Sequence, residues 1–292
     1  MNIKKKLGLI VFVTVNLFSQ HVFAQSSVWK VSKGDGYFYL GGTIHVLSVD
    51  DHPLPKEYKM AYDDADEIIF ETDMDKLNSP EVQAKFMTAM TFGDDRTLAS
   101  SLDPKNYRKI EDYLTSRQVA INNFSSFHPW GMSIIITVME YQKLGMKEEY
   151  GVDTYFNELA LNDNKPRSGL ETADEQLTAI KSMGDIDPND VIEYTLRDID
   201  RLPEFIEIMK QSWLHGDLDG LSKSDVVMQM ESDTPAMYKA LLTDRNNNWM
   251  RSLPSLVENK NIEFVLVGAL HLAGEEGLLH QLKIKGFKVE PL

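Results

Sequence analysis

The sequence contains no cysteine in its 292 residues. Thiol catalysis is therefore excluded, as is any zinc or iron–sulfur centre held by thiolates. An oxidising compartment would pose no thiol hazard. Long apolar runs are also missing. Leu7 to Phe18 is largely apolar, but at about a dozen residues it is short for a membrane span of roughly 20. Positive charge is scarce, with 30 Lys+Arg against 45 Asp+Glu and a net charge of −15. Such a surface repels nucleic acid phosphate and anionic lipid, so basic or neutral partners fit better. No Ser stands in a Gly-x-Ser-x-Gly elbow, which counts against an α/β-hydrolase. The lone "GDG" at 34–36 is too poor for a phosphate loop.

What is present begins with a leader. Lys4, Lys5 and Lys6 form a basic patch, the apolar run follows, and Val22-Phe23-Ala24 has the small-x-small pattern of a cleavage site. This is the pattern of a secretory signal peptide, with cutting expected after Ala24 and a secreted or periplasmic location. An uncleaved anchor is the alternative. No cysteine follows the leader, so a lipid anchor is not expected. A chain from Gln25 onward would hold 268 residues, with 27 Lys+Arg against 45 Asp+Glu, or −18. That length can bury one substantial core.

Along the chain, strands are expected at 28–31 and 37–41, joined by the turn "SKGDG". Pro53 and Pro55 mark the start of a helix running to about Ala65. "EIIFE", 67–71, reads as a buried parallel strand. From about Ser79 the periodicity turns helical, with one further strand at 165–171, and helices continue to about Lys260. The chain ends with strand 262–268, helix 274–285 capped by Gly286, and a last strand in "FKVEPL". The expected fold is α/β: one domain over 25–292, whose mixed sheet takes strands from both chain ends, with a mainly helical insertion over about 79–260.

Four expected strands end in groups capable of chemistry: His45, Glu71, Glu171 and His271. Two follow a repeated pattern, Gly42-x-x-His45 and Gly268-x-x-His271, more than two hundred positions apart. In open α/β sheets ligands bind outside the carboxyl ends of the strands, so parallel neighbours would bring these groups together. Gly42 and Gly268 would let the chain turn sharply off the sheet, or let a ligand or backbone approach. Two imidazoles and one or two carboxylates suit Zn, Mn, Co or Fe. Without a metal, His and Glu would serve as base and acid. The plainer reading is that each His caps a turn.

His128, in "FHPW", reads as a helix entry, His215 as a helix-end group, His52 as a rim or surface group, and His280 as surface. Trp130, Trp213, Trp249 and the methionines of the helical middle read as core.

With those residues in view, the chain resembles the TraB/GumN family, whose animal branch includes the Tiki proteins. The resemblance rests on "VWKVSKGDGYFYLGGTIHVL", "ADEIIFETD", "GVDTYFNELA", "SGLETADEQL" with Glu171 and Gln176, "SWLHGDLDGL", "LLTDRNNNWMRSL" and the terminal "FVLVGALHLAGEEGLLHQLKIKGFKVEPL". These blocks span the chain in order. The resemblance implies a fold related to erythromycin esterases and certain haem-binding lipoproteins. It also implies a metal-dependent protease chemistry centred on His45, Glu71 and His271, with Arg245 and Asn246 in support, and a divalent ion (Mn, Co or Zn) as cofactor. The substrate would be a peptide or small molecule. Arg245 would hold a substrate carboxylate or oxyanion, or pair with Asp244 or Glu171. Asn246 would support the site or cap a helix. Glu171 would fix an imidazole or cap the helix near Ala173. Two alternatives without catalysis are a haem or small-ligand binder and an accessory factor for surface assembly.

Overall fold

The computed structural model describes residues 26–292. The expected leader and its cleavage site lie outside the described residues. Six strands form one sheet: β1 (Val28–Lys33), β2 (Gly36–Thr43), β3 (Glu67–Thr72), β4 (Arg167–Glu171), β5 (Glu263–Gly268) and β6 (Lys288–Pro291). Their order is β4-β3-β5-β2-β1-β6. β2, β5, β3 and β4 are mutually parallel, and at one side β1 pairs antiparallel with both β2 and β6. The four parallel strands are the four that carry the candidate groups, so their carboxyl ends open on one edge.

The parallel strands are apolar on both faces because both are covered. Phe264 and Leu266 of β5 face Tyr58, Phe156 and Trp213. Val265 and Val267 point the other way, against Trp249, Leu253 and Leu282. The period of two follows from strand geometry. The helical middle has its own core of Leu98, Ile110, Leu114, Met132, Ile136 and Ile192. β4 returns from that region to the sheet.

Most expected elements are present, with shifted bounds. The first helix is Lys56–Asp64, with Pro55 at its N-cap; Pro53 lies outside it. The helix expected at 274–285 begins later, as Leu278–Ile284, and a 3-10 turn, Ala269–Leu272, lies ahead of it. Gly274, at φ +75°, and Gly277, at the N-cap, account for the break. Gly286, at φ +80°, follows that helix as expected.

Candidate functional site at the strand ends

β2 runs to Thr43, and the chain beyond it is fixed against the helix Val152–Asp163. The Val152 N–H donates to the Ile44 carbonyl at 3.1 Å. A Cβ on Gly151 would overlap the carbonyl oxygen of His45, so only glycine allows this approach. The contact brings Asp153, in the helix's first turn, to His45: Nδ1 to Oδ2 is 2.7 Å. Nδ1–H therefore donates to the carboxylate, and Nε2 is left turned to the site. The Asp153 charge also raises the His45 pKa to about 9. Desolvation opposes the rise without cancelling it.

His271 is held from the other side. It lies in the 3-10 turn after β5 and is 4% exposed. Asn246 donates through Nδ2 to the carbonyls of His271 (3.1 Å) and Glu276 (2.9 Å). With both amide protons used in this way, Asn246 Oδ1 accepts from His271 Nδ1 at 2.7 Å. That assigns the Nδ1–H tautomer from the network and leaves the Nε2 lone pair facing inward. Burial holds the His271 pKa down to about 3, and Arg245 adds to the effect, so the ring is neutral. The ring also packs on Trp249, with centroids 4.5 Å apart.

Between them sits Glu71, 5% exposed at the end of β3. Oε1 accepts from the Gly268 N–H at 2.6 Å, and Oε2 accepts from Arg245 Nη2 at 2.6 Å. Burial alone would raise its pKa, but the Arg245 guanidinium holds it well below the usual carboxylate range. Glu71 Oε1 stands 3.7 Å from His271 Nε2.

Arg245 joins the acids. Its Nε donates to Glu171 Oε1 and Oε2 at 3.0 and 3.1 Å, and Nη1 faces His271 Nε2 at 3.0 Å. It follows a π-helical segment, Lys239–Thr243, and Nη1 also donates to the Leu241 carbonyl at 3.3 Å. π-Turns of this kind recur at functional sites, where they reposition side chains.

Of the two roles expected of the glycines, close approach is the one the geometry shows. Neither has a positive φ. Gly42 lies inside β2, where a Cβ would come within 3.1 Å of Leu272 Cδ1 and 3.2 Å of Ala269 Cα. A Cβ on Gly268 would sit 3.2 Å from Glu71 Oε1 and 3.5 Å from His45 Nε2. Each motif's glycine thus lies against a residue of the other motif, and Gly268 also against Glu71.

Other expectations change. Glu171 does not cap the following helix; Thr172 does, with Glu175 in a capping box. Glu171 pairs with Arg245 and accepts from Trp249 Nε1 at 3.2 Å. Asn246 does not cap a helix either, being buried inside Asp244–Trp249. Asp244 pairs with Lys239, not with Arg245. His128 does stand at a helix entry, the N-cap before Pro129, and His52 donates through Nε2–H to the Tyr150 carbonyl at 2.8 Å. Sequence reasoning missed Asp153 and the part Trp249 takes in the site. The signal for Asp153 was its place two residues after Gly151 in "GVD", at a helix start.

The donor chemistry suits a divalent ion: two imidazoles with Nδ1 engaged by side-chain oxygens, and one carboxylate beside them. A closed coordination set is not formed, however. Among the described residues no three His, Asp or Glu side chains stand grouped for an ion. Arg245 occupies the position between Glu71 and His271.

A model of the TraB/PrgY/gumN family matches residues 27–291. The chain belongs to that family. Among curated relatives it is similar to "Uncharacterized protein YbaP" of Escherichia coli (strain K12) and its namesake in Shigella flexneri. Each is 24% identical over 250 residues, covering 86% of this chain and 89% of the relative. No solved structure matches the chain. In this TraB/PrgY/gumN chain no helix among the described residues is long and apolar enough to cross a membrane.

Proposed function

We propose that the strand-end cluster is the active site of a metal-dependent hydrolase acting on peptide or ester bonds outside the cytoplasm. The observation carrying this reading is the convergence of His45 Nε2, Glu71 Oε1 and the His271 ring on the space left by the absent side chain of Gly268. In this reading His45, Glu71 and His271 would hold a Mn, Co or Zn ion once Arg245 withdraws its Nη1 and Nη2. When bound, the ion would lower the pKa of a water to about 7 and polarise the scissile carbonyl.

The chain's own residues supply the rest. Asp153 and Asn246 fix the imidazole tautomers, as outer partners of ligands do. Arg245, anchored on Glu171, presents a planar fork to negative charge developing on a substrate oxygen. A leader cleaved after Ala24 would place the enzyme in the periplasm or medium. N-terminal sequencing of the exported protein should begin at Gln25.

The test is metal content by mass spectrometry alongside peptide hydrolysis. His45→Ala and His271→Ala should stay folded, lose the ion and lose activity. Unchanged metal content in both variants would remove the metal from the reading. The Arg245–His271 contact favours a second reading, in which the site binds a small organic ligand without a protein-held divalent ion and without hydrolysis. That reading predicts a retained ligand and indifference to chelators.

A further inference from the structure

A cavity of about 280 Å³ opens directly beside His45 and Glu71. Its apolar wall comes from Val46, Phe70, Met74 and Leu77. Thr72 lies on the same face of β3 as Phe70, by the strand's period of two, and also lines the cavity. Thr72 is 2% exposed, and its hydroxyl has no hydrogen-bond partner. Buried hydroxyls are nearly always satisfied, so an orphan beside an open cavity is a place for a ligand group.

The charges around the cavity are unevenly balanced. Asp153 is answered by His45, and Glu71 by Arg245, which lies outside the lining. Glu148 lines the rim and makes no ion pair among the described residues. Its neighbour Lys147 is turned to Glu149 at 3.0 Å. Among the described lining residues there is no Lys or Arg. One acid is therefore left without a counter-charge at the mouth of an apolar pocket.

We infer that this cavity is a selectivity pocket for a substrate side chain with an apolar stem and a cationic end, as in lysine. The stem would lie along Phe70, Met74 and Leu77, and the cation would meet Glu148, with the Thr72 hydroxyl as a further polar contact. This specificity rests on the hydrolytic reading, but the pocket can be tested without hydrolysis. The Met74 methyl reports on occupancy by NMR after ¹³C-methyl labelling, assigned with Met74→Leu.

Three probes are titrated: the Nα-acetyl methylamides of lysine, norleucine and glutamate. The lysine probe should shift Met74 and bind roughly tenfold more tightly than norleucine, as expected for one charge-assisted contact. The glutamate probe should not bind. Glu148→Gln should remove most of the lysine advantage and leave norleucine unchanged. Equal binding of lysine and norleucine, preference for glutamate, or no Met74 shift with any probe would overturn the assignment. Hydrolysis of lysine-containing peptides is measured separately. Selective binding without cleavage would sink the hydrolase and keep the pocket.

Discussion

His271 and Arg245 show how much one side chain decides at this site. His271 is buried and neutral, with its pKa held near 3 against 6.5 for the free ring. Between those values the unfolded chain binds a proton that the native state refuses. Stability should therefore rise with pH across this window and fall as pH drops from about 6.5. Urea titrations with chelator present, between pH 6.5 and 5, should show a slope of up to one proton, about 1.4 kcal/mol per pH unit. His271→Gln should flatten it, and an equal slope in that variant would refute the neutral buried ring. His45 has the opposite sign. Its raised pKa gives stability that is fully present below about 6.5 and lost as pH rises through about 9. Arg245 pairs with two carboxylates, each with a side chain 6% exposed. Removing one partner of such a group costs about 3–5 kcal/mol. Arg245→Gln should lower stability by that order in chelator, and added Mn or Zn should restore more melting temperature to the variant than to wild type. No difference in metal response would argue against a shared position for guanidinium and ion.

The elements bring these residues together through close backbone contact. β2, β5, β3 and β4 could be read as strands because apolar runs such as "FVLVG" and "EIIFE" are short and end in Gly or Glu. Their parallel adjacency could only be conjectured, since pairing between chain ends leaves no local pattern. The break at 274–277 was hidden because glycine pairs are tolerated near helix ends as well as in turns. Asp153 was missed for a related reason: "GVDTYF" marks a helix start but does not say that this start lies under His45. Gly151 is the point of contact. Gly151→Ala should force the His45 loop away from the helix, cost about 2 kcal/mol or more, and break the Asp153 contact. Denaturant melts and the His45 ring titration by NMR would check this, the ring pKa falling toward 6.5. A variant with wild-type stability and an unchanged titration would show that the approach is not tight.

At the scale of the molecule, the sheet edge gathers residues spread over 226 positions into one cluster, from His45 to His271. The strand-end pattern named both histidines, Glu71 and Glu171, and the family resemblance added Arg245 and Asn246; all of them meet at this edge. It did not reveal the arginine bridge, because a guanidinium's partners depend on three-dimensional reach. The bridge gives the account its sharpest test: whether this place receives an ion. Crystals grown with Mn or Zn at pH 8 and measured at the metal's absorption edge answer it directly. The account predicts one anomalous peak per chain, bonded to His45 Nε2, His271 Nε2 and Glu71, with Arg245 withdrawn onto Glu171. A map without that peak, with Arg245 still on His271 Nε2 and Glu71, would contradict it.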